Sequence, residues 1–392
     1  MSFTEAINTI TSTEEFLASD VHHTHIDTSR MRVAIVHYWL VGMRGGERVL
    51  ERLLKLFPQA DIYTHVYDRN SVSKTIRDRV VRTSFIQKLP GATRHYQSYL
   101  PLMPLALEQL DLRGYDLVIS SESGPAKGVI VAPNAAHVCY CHSPMRYLWD
   151  HYHEYLETAD RLSKMVMPSI FHSLRQWDMS SASRIDHIVA NSSFIRKRIR
   201  RAWNRDSSVV FPPIAIDKFR AIDDIGDHYL WVSQIRPYKR PRLAVEAFTR
   251  LGLPLLMVGD GPEYEELRSI AGPNIRFRKR LTFSELQYAY ASARALVFTA
   301  EEDFGMVPVE ANASGRPVIA YGSGGVTDSV IPGQTGIFFM EQTVDSLCDA
   351  VQRFEAWLPH FDPRVAMANA ARFAPPHFDA GILKAVECAL AG

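Results

Sequence analysis

Cysteine is scarce in this sequence, and features that define several protein classes are missing. Four cysteines occur among 392 residues without regular spacing, which disfavours a disulfide framework and fits a reducing compartment. No apolar run is long enough to cross a bilayer. The first thirty residues have neither the basic start nor the apolar centre of a secretory signal peptide. We therefore expect a cytoplasmic globular protein.

Signatures of metal and dinucleotide binding are also missing. Cys139 and Cys141 share one face of an expected strand, where packing explains them better than metal binding. Gly42, Gly45 and Gly46 follow the first strand but do not form G-x-G-x-x-G, so a nicotinamide dehydrogenase receives little support. We expect no metal and no cofactor.

Charge is nearly balanced over the whole chain, at +1, but is unevenly distributed. Residues 31–222 contain 27 Lys and Arg against 17 Asp and Glu, whereas residues 223–392 contain 16 against 21. A basic half indicates an anionic partner, such as nucleic acid, an anionic membrane surface or a lipid diphosphate. Because no nucleic-acid module is recognisable, we expect the membrane surface and no nucleic acid.

Length and hydrophobic periodicity predict two α/β domains, since 392 residues exceed one ordinary core. Strand-like runs RVAIVHYWL, DLVIS, GVIVA, HVCYC, HIVAN and SVVFPP alternate with helical stretches, as in a parallel sheet. A polar stretch follows, and the pattern restarts at YLWVSQ. We predict a disordered extension at residues 1–30, Rossmann-like domains at 31–222 and 223–375, and a terminal helix at 376–392 that can cross back to the first domain.

The segment EEDFGMVPVEANASGRPVIAYGSGG, residues 301–325, is the most informative about chemistry. Glu302 and Glu310 lie eight positions apart, close to two helical turns. Gly305 is expected to begin the helix, which places Glu302 in the preceding loop and Glu310 in the second turn. Backbone N–H groups at that helix start can bind a phosphate, and two carboxylates suit sugar hydroxyls. The pattern indicates a nucleotide sugar, although two solvated surface carboxylates would show the same spacing.

With FG, EA, SGRPVIA and GG in order, this segment resembles the E-x7-E signature of retaining glycosyltransferases of family four, which have the GT-B fold. The resemblance extends over most of residues 31–375. It implies metal-independent transfer by front-face displacement. It also implies that Glu302 binds donor-sugar hydroxyls, that Glu310 binds the nucleotide ribose, and that the donor is further contacted by Phe304, Gly305, Met306 and Gly324.

Positions in the first domain match the same family. Gly45 and Gly46 resemble a glycine pair that touches donor phosphate or acceptor, although a plain strand-to-helix turn would look the same. His142, in CHSPMRYLWD, matches a histidine beside the reacting sugar carbon. A structural histidine is the alternative there.

The run WVSQIRPYKR resembles the family segment on the donor diphosphate. Lys239 matches the family lysine, but the family arginine position is occupied by Gln234. We expect Arg236, two residues further on, to supply the missing charge for the departing diphosphate, although solvated surface charge explains it equally well. The resemblance also places Arg280 and Leu281 at the nucleotide base.

The stretches AEEDFGMVPVEA, SGRPVIAYGSGG and VHYWLVGMRGGERVLE resemble bacterial mannosyltransferases of exopolysaccharide and O-antigen assembly, of the acetan and xanthan type. It implies transfer of α-mannose from GDP-mannose to a polyprenyl-diphosphate-linked oligosaccharide, with cellobiosyl-diphosphopolyprenol as the best specific candidate. The enzyme would act at the inner face of the cell membrane. UDP-glucose or UDP-N-acetylglucosamine as donor, and a non-catalytic two-lobed binding protein, stay as alternatives.

Two segments are candidates for contact with the membrane. RHYQSYLPLMPLALEQL, residues 94–110, places Leu102 and Met103 near basic residues, as an interfacial anchor would. A core helix interrupted by prolines is the alternative. In NSSFIRKRIRRAW, residues 191–203, Arg198 and its basic neighbours are expected to face lipid or solvent.

Overall fold

The computed structural model describes residues 28–391, and a seven-stranded sheet organises the first half. Its strands are β1 (Val33–His37), β2 (Asp61–Thr64), β3 (Val81–Thr83), β4 (Leu117–Glu122), β5 (Ala136–Cys141), β6 (His187–Ala190) and β7 (Ser208–Val209). They lie in the order β3-β2-β1-β4-β5-β6-β7, and neighbouring strands are parallel. The strand order reverses between β1 and β4.

A second parallel sheet has six strands: β8 (Tyr229–Val232), β9 (Leu255–Val258), β10 (Ile275–Arg278), β11 (Leu296–Phe298), β12 (Val318–Tyr321) and β13 (Gly336–Phe339). Their order is β10-β9-β8-β11-β12-β13. Both sheets therefore have the Rossmann-type order, with a reversal beside the first strand, where open α/β sheets bind ligands. The predicted α/β class with two Rossmann-like units is confirmed.

Helices connect most of the consecutive parallel strands, because a parallel pair needs a long crossover. In the described chain they are α1 (Gly45–Leu56), α2 (Lys74–Arg77), α3 (Ala92–His95), α4 (Met103–Glu108), α5 (Tyr152–Thr158), α6 (Arg161–Ala182), α7 (Ser193–Trp203), α8 (Pro241–Leu251), α9 (Tyr264–Ile270), α10 (Phe283–Ser292), α11 (Met306–Ala313), α12 (Val326–Ser329), α13 (Val344–Trp357), α14 (Pro363–Ala371) and α15 (Pro375–Ala391).

Helix α7 shows how the local sequence fixes an element near the site. The Ser192 hydroxyl accepts the Ile195 N–H at 3.0 Å, which caps the start of the helix. Asn204, with a φ of +51°, ends the helix in the left-handed conformation. Ile195 and Ile199 are buried one turn apart, and Arg198 lies on the same inward side.

The last helix, α15, packs on the first sheet against β5 and β6. The Phe378 ring lies edge-on to Tyr140 with centroids 5.4 Å apart. The Asp379 carboxylate accepts a hydrogen bond from Arg52 Nε of α1 at 2.7 Å. The end of the chain thus crosses back from the second sheet to the first.

The predicted strand GVIVA, residues 128–132, is not a strand in the structure. Strand β4 already pairs with β1 and β5, so no sheet position is open beside it. The N–H groups of Ala126 and Lys127 donate to the Glu122 carboxylate at 2.8 and 2.7 Å, which turns the chain after β4. This prediction was wrong because a hydrophobic pattern does not show whether a neighbouring strand is available for pairing.

Part of the predicted interfacial segment, residues 94–110, lies in the hydrophobic core. Met103 is fully buried, whereas Leu102 and Leu105 are 41% and 52% exposed. No helix within residues 28–391 is long and apolar enough to cross a membrane. The predicted extension, residues 1–30, lies outside the described residues except for a short turn at Thr28–Arg30.

Candidate active site

The carboxyl ends of the two sheets face each other across a cleft, and contacts between the domains lie there. Arg48 of α1 reaches Glu310 of α11 at 3.8 Å. Ser192, at the end of β6, donates its hydroxyl to the backbone carbonyl of Asp303. Glu310 and the loop before its helix therefore lie against the first domain, at the position that open α/β folds use for ligands.

Glu302 and Lys239 form an ion pair in this cleft. Lys239 Nζ contacts Glu302 Oε1, and the side chains are 12% and 21% exposed. The Thr299 hydroxyl donates to the Lys239 carbonyl at 2.8 Å, which ties the lysine turn to the end of β11. Glu302 pairs through its backbone with Gly324. Gly324 has a φ of +85°, and a Cβ there would lie 2.5 Å from the Glu302 carbonyl oxygen, so glycine is required.

Glu310 is a buried carboxylate with one partner from each domain. The Tyr290 hydroxyl donates to Glu310 Oε2 at 2.7 Å, and Arg48 of the first domain lies 3.8 Å from Oε1. Burial raises the pKa of Glu310, whereas Tyr290 and Arg48 lower it, and the net result is a raised pKa. As expected from the sequence, Glu310 lies in the second turn of its helix and Glu302 in the loop before it.

The start of α11 lies against the glycine turn of the first domain. Gly305 precedes the helix with a φ of +82°, and Met306 is its first residue. A Cβ on Gly45 would meet Met306 Sδ at 3.4 Å. The side chain of Phe304 is buried beside Phe373, with ring centroids 5.4 Å apart. A contact between Phe304 and a ligand would have to use the backbone.

His142 follows β5 and is half-buried at the end of the first sheet. Its Nε2 lies 2.9 Å from Ser121 Oγ, which in turn lies 3.0 Å from His37 Nδ1. Burial lowers the pKa of His142 to about 3, so the imidazole is neutral near pH 7. Tyr38 packs edge-on to His142 at 6.3 Å, and its hydroxyl covers Gly46.

A second part of the cleft is a cavity of about 730 Å³ at the ends of β8, β9 and β10. This volume is within the range of small-molecule sites. Arg236 is exposed on its wall and makes no ion pair with any residue that the structure describes. The structure thus places Arg236 on this cavity, together with Gln234, Gly259, Asp260, Gly261, Pro262, Arg280 and Leu281.

Sequence reasoning missed a polar cluster beside Glu302. Arg198 Nη1 donates to Asp303 Oδ1 at 3.0 Å, and Arg146 Nε donates to the same oxygen at 3.2 Å. Arg198 is 8% exposed, so the expectation that it faces lipid or solvent was wrong. The available signal was the position of Asp303 directly after Glu302 in the loop.

The two cysteines of β5 are core residues. Cys139 and Cys141 are fully buried and pack among apolar residues such as Ile188. No group of three His, Cys, Asp or Glu side chains within residues 28–391 is arranged to hold a metal ion.

Comparison with known proteins identifies the family. A family model described as "Glycosyltransferase Family 4" matches residues 43–218, and one described as "Glycosyl transferases group 1" matches residues 226–355. Together the two models cover well over half of the chain. The chain belongs to glycosyltransferase family four.

Among curated proteins, this glycosyltransferase is 28% identical over 238 residues to "GDP-Man:Man(3)GlcNAc(2)-PP-Dol alpha-1,2-mannosyltransferase" of Xenopus laevis, covering 52% of this chain and 48% of that protein. It is 28% identical over 219 residues to "GDP-mannose-dependent alpha-(1-6)-phosphatidylinositol monomannoside mannosyltransferase" of Mycobacterium tuberculosis, covering 48% and 56%. The chain thus spans about half the length of the curated relatives it matches.

Solved structures resemble this glycosyltransferase over most of its length. HepE from Anabaena, in complex with UDP and glucose, superposes with a TM-score of 0.67 at 16% identity, covering 91% of this chain and all of HepE. Sucrose-phosphate synthase from Thermosynechococcus elongatus superposes with a TM-score of 0.66 at 18% identity, covering 92% and 100%. At these identities the likeness establishes the fold alone, which is the predicted GT-B fold.

Proposed function

We propose that this glycosyltransferase transfers α-mannose from GDP-mannose, with retention, to a polyprenyl-diphosphate-linked oligosaccharide. The observation behind the proposal is the Lys239–Glu302 pair, with Glu310 in the second turn of the adjoining helix. One cation suits a diphosphate, and two carboxylates suit the hydroxyls of a sugar and a ribose. GDP-mannose is favoured because the Xenopus and Mycobacterium relatives are both named for it.

In the proposed reaction the acceptor oxygen bonds to the anomeric carbon as the carbon–oxygen bond to the diphosphate breaks on the same face. The acceptor proton passes to the departing phosphate oxygen, so GDP leaves and no enzyme nucleophile is needed. Lys239 stabilises the charge that develops on the diphosphate. Glu302 exchanges its contact with Lys239 for hydroxyls of the donor sugar.

The nucleotide base is proposed to occupy the cavity bordered by Arg236, Arg280 and Leu281. Glu310 would then hold the ribose between this cavity and the diphosphate. A UDP-sugar donor is the second candidate, because the HepE structure contains UDP and glucose. The cavity wall is polar enough to accept either base.

The acceptor is proposed to be cellobiosyl-diphosphopolyprenol, which the first domain would meet on the inner face of the cell membrane. The net charge of +10 over residues 31–222 supports an anionic surface as partner. Exposed apolar side chains on this domain support insertion at an interface: Leu102 and Leu105, and on α6 Leu162 and Met165, which are 68% and 72% exposed. The protein would therefore act as a cytoplasmic, peripheral membrane enzyme.

The test uses purified protein with labelled GDP-mannose, UDP-glucose or UDP-N-acetylglucosamine and a synthetic short-chain cellobiosyl-diphosphopolyprenol. We expect label transfer from GDP-mannose, an α-linkage in the product by NMR, and no transfer by the Glu302→Gln variant. Transfer from a UDP-sugar alone would replace the proposed donor. Donor binding without transfer to this acceptor or to membrane lipid extracts would instead favour the two-lobed binding protein.

A further inference from the structure

Four polar side chains form a continuous line from helix α1 to the cleft. His37 and Ser121 are register partners on the adjacent strands β1 and β4, and His142 follows the next strand, β5. Ser121 Oγ lies 3.0 Å from His37 Nδ1 and 2.9 Å from His142 Nε2. At the far end, Glu47 Oε1 lies 3.8 Å from His37 Nε2.

The inner members of this line are shielded from water. His37 and Ser121 are fully buried, and Glu47 is 2% exposed. His37 Nε2 has no hydrogen-bond partner among the described residues, so its nearest electrostatic neighbour is the Glu47 carboxylate. Burial raises the pKa of Glu47, but His37 and backbone N–H groups outweigh it, and the net pKa is lowered. Glu47 is therefore an anion near neutral pH.

The Ser121 hydroxyl has one proton, so it donates to one histidine and accepts from the other. If it donates to His37 Nδ1, the His142 Nε2 proton points to Ser121. If it donates to His142 Nε2, the His142 proton must lie on Nδ1. When His37 is neutral, an anionic Glu47 attracts its proton to Nε2, which leaves His37 Nδ1 as the acceptor. Glu47 therefore favours the arrangement in which Ser121 donates to His37 Nδ1 and the His142 proton lies on Nε2.

We propose that Glu47, acting through His37 and Ser121, holds His142 as the Nε2–H tautomer. His142 then presents Nδ1 as a hydrogen-bond acceptor toward the cleft. No residue that the structure describes bonds to that nitrogen, and His142 is half-buried at the cleft mouth. The group that it accepts from is a sugar hydroxyl. This last step rests on the proposed function, whereas the tautomer does not.

The arrangement makes Glu47, His37 and Ser121 positioning residues. Glu47→Gln is a sharp probe, because Glu47 Oε2 accepts the Arg44 N–H at 2.7 Å. In the variant the amide oxygen keeps that bond, so the amide N–H2 group faces His37 Nε2. The His37 proton then moves to Nδ1, Ser121 donates to His142, and the His142 proton moves to Nδ1.

The direct test is a long-range 1H–15N correlation spectrum of 15N-histidine-labelled protein at pH 8.5, which distinguishes a bare ring nitrogen from N–H. We expect the His142 proton on Nε2 in the wild type and a shift toward Nδ1–H in Glu47→Gln. Glu51→Gln is the matched control, since Glu51 lies one turn later on α1 and accepts from Ser73 instead. It should leave the His142 signals unchanged.

Kinetics give the second readout. Glu47→Gln and Ser121→Ala should each lower kcat about tenfold, the effect of losing one aligned hydrogen bond, with little change in donor KM. A His142 proton on Nδ1 in the wild type, or an unchanged tautomer in Glu47→Gln, would overturn the proposal. If the tautomers behave as expected but no nucleotide sugar supports transfer, it is the proposed function that fails and not this inference.

Discussion

Arg198 donates to the carboxylate of Asp303 at 3.0 Å, from a helix of the first domain to the loop of the second domain that contains Glu302. Because Asp303 is the next residue after Glu302, this contact couples the position of Glu302 to the relative position of the two domains. Ser192 reinforces the coupling through the Asp303 carbonyl.

Asp303→Asn should therefore affect both stability and donor binding. Arg198 is nearly buried and pairs with Asp150 as well as Asp303, and loss of the Asp303 charge should lower the free energy of unfolding by about 1–3 kcal/mol. Donor KM should rise because the Glu302 loop loses its ionic contact with the first domain and keeps only the backbone contact with Ser192. Urea unfolding and initial rates measure the two effects. Asp206→Asn is the control, since the Arg200–Asp206 pair is exposed and should contribute less than about 1 kcal/mol. Equal effects of the two variants would contradict this account.

Glu302→Gln should reduce kcat/KM by about 100-fold or more, because a fixed charge in a shielded site interacts with the transition state. Lys239→Met should lower kcat in particular, since its charge acts on the departing diphosphate.

Arg236→Ala should raise donor KM without the loss of kcat expected for Lys239→Met, because Arg236 lies on the cavity wall. A change within twofold in every constant would show that Arg236 does not replace the arginine missing at Gln234.

Tyr290→Phe should make donor binding more dependent on pH. Burial already raises the pKa of Glu310, and the Tyr290 hydrogen bond opposes this shift. Loss of the hydroxyl should raise the pKa further, so that more Glu310 is protonated at a given pH. Donor affinity, measured by calorimetry, should then fall more steeply from pH 8 to pH 6 than in the wild type. Tyr288→Phe, at an exposed position of the same helix, should follow the wild-type profile.

Acid should destabilise the fold through buried histidines such as His65. Burial lowers the pKa of His65 to about 4, against about 6.5 in an unfolded chain. The unfolded state therefore binds more protons below pH 6.5, and stability is lost as pH falls toward 4. Between pH 7 and pH 5 the wild type should lose roughly 2 kcal/mol more than His65→Gln. An identical slope in urea unfolding for both proteins would refute this assignment, and His153→Gln, at an exposed site, is the control.

Membrane docking should depend on the exposed leucines of the predicted interfacial segment. Replacing Leu102 and Leu105 by Ser should reduce co-sedimentation with anionic liposomes without destabilising the protein, because Met103, which is core, is left intact. Binding should weaken with salt. Val365→Ser with Met367→Ser alters comparably exposed side chains in the second half and should not change binding. Absence of binding to any vesicle would contradict the proposal that the protein docks on a membrane.

Structural features that depend only on residues close together in the sequence were predictable from it. Strand β1, the helix start at Gly305, and the positions of Glu302 and Glu310 around it follow from periodicity and from the conformational freedom of glycine. The family resemblance implied that Lys239 binds the donor diphosphate and that Glu302 binds the donor sugar, and the structure brings the two side chains together. Their roles in transfer stay predictions.

The sequence by itself determined the α/β class, the two Rossmann-like units and the residue types of the candidate site, because these are encoded in local spacing. The tertiary structure decided which side chains face inward. Arg198 meets Asp303, Met103 and Phe304 enter the core, and GVIVA finds no strand partner. The line from Glu47 to His142 likewise exists because β1, β4 and β5 are adjacent, although they are far apart in the chain. Strand order is set by packing over the whole sheet, and no short window of sequence contains it.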